Sequence, residues 1–129
     1  METEAIETEL GIIQYRDTIF LKEVGTSIYP LSLKLSGKIL GKHCSQVMTD
    51  IEISFELRFD SVEMFNCFKL DFSPIDRHMK SCFDEVASSD LLKEMRLEES
   101  HRHYIVSTYD YVFEVISKSF ELQQNYESQ

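Results

Sequence analysis

Ten consecutive residues, Ile51 to Asp60, alternate strictly between apolar and polar. In an extended chain successive side chains point to opposite faces, so Ile51, Ile53, Phe55, Leu57 and Phe59 share one side and Glu52, Ser54, Glu56, Arg58 and Asp60 the other. A helix would scatter the same residues around its whole circumference. The segment therefore commits the chain to a sheet with one packed and one wet face, as in antiparallel sheets, and the wet face is mostly acidic. A second alternation sets Leu31, Leu33 and Leu35 against Ser32, Lys34 and Ser36, and Ile39 continues it past Gly37, where a bulge or turn is expected. A third sets Phe68, Leu70 and Phe72 against Lys69, Asp71 and Ser73 and stops at Pro74, which cannot donate to a ladder. Ile12 to Val24 is open: Tyr15, Ile19, Phe20 and Val24 suit a short helix, whereas the β-branched content favours a strand or a hairpin around Arg16 and Asp17.

Between Ser81 and Leu97 the period changes, with Phe83, Val86, Ala87, Leu91 and Met95 recurring every three to four residues. That spacing predicts a helix. Ser81 and Asp84 have capping-box spacing, Asp84 and Glu85 would complement the helix dipole, and a break at Ser88, Ser89 and Asp90 would give two short helices instead of one. From His103 to Leu122 the chain reads as two strands turning near Asp110, with a helix from Asp110 as the alternative. The expected class is α+β, a mainly antiparallel sheet with one or two short helices packed on one face. Length and an apolar share of 43%, with nine Phe and six Tyr, fit a single domain over residues 1–129 with its own core. Polar ends at 1–9 and 123–129 read as flexible tails.

Cys44, Cys67 and Cys82 are odd in number and match no disulfide or zinc-ribbon spacing, so a reduced compartment is expected, with Cys67 and Cys82 buried among aromatic neighbours. No apolar run is long enough for a membrane span, and Met1 to Glu9 holds four Glu and no base, unlike a secretory leader. A cytoplasmic protein without membrane contact is expected.

The formal net charge is -10. A field of that sign repels nucleic-acid phosphates and anionic lipid and steers cationic proteins inward. The charge is uneven: Val24 to Thr49 contains three lysines, Lys34, Lys38 and Lys42, and no acid. His101 and His103 could share a strand face as metal ligands, yet no second ligand pair at useful spacing supports them, so they read as exposed side chains and no metal is assigned. The four glycines form neither a dinucleotide fingerprint nor a phosphate loop, so no cofactor is assigned. Asp71, Asp76, Asp84, Glu85, Asp110 and Glu114 are too numerous to single out a catalytic pair, and no catalytic residue is assigned.

Two stretches, Ser81-Cys82-Phe83-Asp84-Glu85-Val86 and His103 to Ile116 with its Tyr109-Asp110-Tyr111-Val112-Phe113-Glu114-Val115 run, carry a resemblance. Over about the last third of its length the chain resembles bacterial immunity proteins that accompany secreted toxins, including the contact-dependent growth inhibition type. The resemblance implies a role rather than particular residues: such proteins block the active site, or a neighbouring surface, of one cognate toxin, often a basic nuclease. The expected function is thus a non-enzymatic protein that neutralises a basic toxin by direct contact. Candidate contact residues are Asp110, Glu114, Tyr109 and Tyr111, where amphipathic rings adjoin charge, then Glu52, Glu56 and Asp60 on the wet strand face, and Asp84 and Glu85. The alternatives are a small hydrolase or ligand-binding domain with a carboxylate or histidine pocket, and a phage-type inhibitor of a nucleic-acid-binding complex. Oligomeric state is left open.

Overall fold

The computed structural model describes residues 1–74 and 79–125. Among the described residues, nine strands make two antiparallel sheets. The first sheet contains β1 (Glu2–Ala5), β6 (Phe83–Ala87), β7 (Arg102–Ser107), β8 (Tyr111–Ser117) and β5 (Met64–Lys69), in that spatial order. The second contains β2 (Ile19–Ile28), β3 (Leu31–Leu40), β4 (Glu52–Asp60) and β9 (Ser119–Asn125). A six-residue α-helix, α1 (Asp90–Met95), follows β6. The molecule is mainly antiparallel as expected, but it is a two-sheet β structure with little helix rather than a sheet carrying helices on a face.

The core follows from the alternation. Leu33, Leu35 and Ile39 of β3 and Ile53, Phe55, Leu57 and Phe59 of β4 are buried against Phe83, Tyr104, Val106, Phe113 and Val115 of the other sheet. Rings concentrate at the centre, where Phe59 meets Tyr104 at 5.5 Å between centroids and Phe83 meets Phe120 edge-on at 4.8 Å. β4 and β8 each continue into a strand of the opposite sheet, β5 and β9, and β4 pairs with β9 as β8 pairs with β5. These four strands form one ribbon folded over a corner, a common way for two sheets to share strands. Ser61 takes a left-handed φ of 54° at the bend, Glu63 N donates to Ile116 O at 2.9 Å, and Lys118 N donates to Asp60 O at 3.2 Å.

The helix predicted from Ser81 is strand β6 up to Ala87; Ser81 does hydrogen-bond Asp84, but within a turn, and the true helix cap is Ser89, which accepts from Leu92 N at 3.2 Å. The three-to-four spacing arose because β6 has buried residues on both faces: Phe83 joins the central core, while Val86 packs with Ile105 and Val112 on the outer face, under Phe68, Leu70 and Met79. The third predicted strand lies earlier, at Met64–Lys69; Leu70–Phe72 is a 3-10 turn, and Phe72 is exposed. Residues 2–5 are no tail, because they pair with β6, and Gln123 to Asn125 belong to β9; the expected tail from 126 onward, like Asp76, lies outside the described residues. The hairpin of β7 and β8 turns at Asp110 as expected.

The irregularity expected at Gly37 falls in its partner strand, where the register slips between Leu21 and Glu23. A Cβ on Gly37 would stand 2.0 Å from Phe20 O. Backbone cannot yield as a side-chain tip can, so Gly37→Ala is expected to cost about 2 kcal/mol or more, within the range of overpacked sites. Urea denaturation at neutral pH checks this.

Cys44 and Cys82 are buried free thiols, but Cys67, expected to be buried, is exposed on the edge strand β5. Burial pushes the Cys44 thiol up to about 11 and Cys82 up to about 12. Burial raises the Cys67 thiol as well, but its side chain is open to solvent, so a thiol-labelling reagent at neutral pH should modify Cys67 and reach the other two only on unfolding. Mass spectrometry of the labelled peptides reads the difference.

Candidate functional site

The β7–β8 hairpin ends in a two-residue turn with Tyr109 and Asp110 at its tip. Thr108 closes it: its N–H donates to Tyr111 O at 2.8 Å, and its hydroxyl oxygen accepts from Tyr111 N at 3.0 Å. The tip is also pinned from both sides, by Tyr109 N donating to Ile19 O and Leu70 N donating to Asp110 O, each at 2.8 Å. These bonds use the backbone and leave the side chains outside. Tyr109 is 52% exposed and Tyr111 37%. Phe20, at the start of β2, stacks on Tyr109 with 5.1 Å between centroids and 23° between planes. Lys69, Leu70, Asp71, Tyr109, Asp110 and Tyr111 line a shallow cleft of about 250 Å³. The result is a backbone-pinned turn that carries a stacked Phe20–Tyr109 pair beside a cleft lined by Tyr111 and two carboxylates.

Three of the sequence candidates, Tyr109, Asp110 and Tyr111, are therefore brought together, and Phe20, Lys69 and Asp71 join them from elsewhere. Nothing in the sequence around Phe20 marks it, because its role comes from the pairing of the start of β2 with the hairpin tip. Glu114 is on the same strand but is not available: its side chain is 12% exposed and bonded on both oxygens, to Asn66 Nδ2 at 3.1 Å and His103 Nε2 at 2.8 Å. The His103 hydrogen bond, helped by Asn66 and the imidazole charge and opposed by burial, holds its carboxyl below the usual range. Asp84 is fully buried and accepts from Lys80 N at 2.6 Å, closing the turn into β6. Glu85 pairs with Arg102 at 2.9 Å. Glu52, Glu56 and Asp60 lie on the outer face of the second sheet, where Lys34 stands across from Arg58, Arg58 pairs with Glu56 and Lys38 reaches Ser54 at 2.9 Å. That face is of mixed sign, not an acidic surface.

His101 and His103, read as exposed, are both buried. β7 is packed on both faces, with Tyr104 and Val106 in the core between the sheets and His103 and Ile105 on the opposite face, where Ser89, Val86 and Val112 adjoin them. His101 bonds Ser100 Oγ at 2.7 Å and Glu63 at 3.2 Å. His103 Nδ1 meets Ser89 Oγ at 2.7 Å, so Ser89, His103 and Glu114 form a continuous chain. The three residue types are those of a nucleophilic triad, but the serine is 5% exposed and its oxygen caps α1. A nucleophile needs an open approach and oxyanion donors beside it, whereas here the hydroxyl ties a helix to a sheet. Among the described residues no three of His, Cys, Asp and Glu converge as metal ligands would, and no helix is long and apolar enough to cross a membrane.

The sequence matches no protein-family model and no curated protein, and the fold matches no solved structure.

Proposed function

We propose that this chain is a stoichiometric inhibitor of one basic protein toxin, an immunity protein acting in the cytoplasm, with the Tyr109–Asp110–Tyr111 turn at the centre of its contact surface. The observation that supports this most is the exposed Phe20–Tyr109 ring stack, with Tyr111 lining the adjoining cleft, at a turn pinned by two backbone bonds. Exposed aromatic anchors held rigid before binding lose little conformational entropy on association. The net charge of -10 supplies long-range attraction to a cationic partner. Asp110 and Asp71 then stand at short range where a nuclease would hold substrate phosphates.

The test is growth of bacteria induced to make the toxic protein encoded beside this chain. Co-expression should restore growth, and calorimetry of the purified pair should give one chain per toxin. Persistent killing, or a neighbouring gene that encodes no toxic protein, would overturn the proposal. Rescue at far less than one chain per toxin would point instead to catalytic turnover.

A further inference from the structure

The β2–β3 hairpin runs for ten residues in each strand and turns at Tyr29 and Pro30. β2 is the edge of its sheet, and among the described strands it pairs with β3 alone. Opposite its first half, Tyr109 N takes the Ile19 carbonyl, whereas from Val24 to Ile28 no described residue pairs with the outward backbone groups. Two side chains there, Val24 and Ile28, have the phase of the buried Leu35 and the half-buried Leu31 across the ladder, yet they are 50% and 65% exposed, and Tyr29 at the tip is 96% exposed. The end of the hairpin thus carries inward-facing apolar residues that no described residue covers. Natural edges are usually blunted by charge, proline or bulges, because unpaired N–H and C=O groups accept another strand. Val24-Gly25-Thr26-Ser27-Ile28 has no charge and no proline, and the bulge between Leu21 and Glu23 lies before it.

The geometry points to this edge as a self-association surface, at which a second copy of the chain adds its own β2 antiparallel across a two-fold axis at Thr26. The register is self-complementary. With Thr26 facing Thr26, Val24 of each copy lies opposite Ile28 of the other and Gly25 opposite Ser27, so apolar residues meet on one face and small residues on the other. Two copies of a chain carrying -10 repel each other over most of their surface. Val24 to Thr49 is the acid-free window, and the end of the hairpin, from Val24 through β3, lies within it, with Glu23 just outside and Lys34 across the ladder from Gly25. Two copies can therefore meet here without opposing carboxylates, which selects a second copy over a further cationic partner. An isologous contact closes at two subunits. It also leaves the Tyr109 platform, at the far end of β2, open in both.

The test is sedimentation velocity over a concentration series at physiological salt. The wild type should pass from one to two times the mass of the chain, and Thr26→Lys, which places like charges on the axis, should remain monomeric with an unchanged circular dichroism spectrum. A second variant guards against misfolding. In a Cys67→Ser background, Thr26→Cys should form a disulfide-linked dimer under mild oxidation, since directly opposed strand residues lie within disulfide reach, while Lys22→Cys should not. A wild type that stays monomeric at every concentration, a Thr26→Lys variant that dimerises as well as wild type, or equal cross-linking at both cysteine positions would each overturn the assignment. None of these outcomes depends on a toxin partner.

Discussion

Replacing His103 with alanine is expected to destabilise the fold by about 2–4 kcal/mol, the cost of stranding buried polar partners. The variant would leave the Glu114 carboxylate with Asn66 alone and the Ser89 hydroxyl without its imidazole partner, at the junction where α1 is tied to β7 and β8. Removing an exposed histidine would change stability by no more than about 0.5 kcal/mol, so chemical denaturation at neutral pH distinguishes the two environments. The pH dependence has a definite sign. Because the folded Glu114 carboxyl titrates below its ordinary value of 4.5, its contribution is fully present above that value and disappears as the pH falls through the lower folded value. Glu114→Gln should start less stable at neutral pH and lose less on acidification than wild type. Parallel acid-stability curves for the two proteins would contradict the arrangement.

Combining Tyr109→Ala with Asp110→Lys is expected to weaken toxin binding by several kcal/mol, since buried aromatic anchors are each worth about 2 kcal/mol or more and a lysine facing a cationic surface adds repulsion. Stability should change by less than about 1 kcal/mol, because both side chains are exposed and the turn is held by its backbone. Phe20→Ala should weaken binding less, by loosening the ring it stacks on. The Glu114→Lys change belongs to a different class: it would put an ammonium beside His103 in a half-buried site, and lost binding there would follow from lost folding. Calorimetric titration alongside thermal melts separates these cases.

What the sequence disclosed follows from where water lies. β3 and β4 have one wet face, so their period-two pattern was legible, and Ile53, Phe55, Leu57 and Phe59 are buried as that pattern requires. β6 and β7 are covered on both sides, so no alternation survives; β6 imitated a helix, and His101 and His103 looked exposed because polarity was read as solvent contact. β1 is four residues long and half acidic, and only its pairing with β6 makes it a strand. β9 was hidden in the run after β8, because the ribbon passes from one sheet to the other with no glycine or proline at Lys118. At the site, the Tyr-Asp-Tyr turn was visible as composition, while Phe20 and Asp71 arrive through tertiary pairing that no local pattern records. Glu114 and Asp84 were misplaced for one reason: a carboxylate in sequence does not show whether its hydrogen-bond partners are water or protein.

Association kinetics at varied salt test whether the acidic, aromatic turn meets a cationic protein. Wild type and Asp110→Lys should be mixed with the toxin in stopped flow at several ionic strengths. Exposed charges are screened beyond about 10 Å at 0.1 M salt, so the wild-type association rate should fall steeply as salt rises, and Asp110→Lys should associate more slowly with a shallower dependence and dissociate faster. Association rates that are equal for the two proteins and flat across ionic strength would contradict the account.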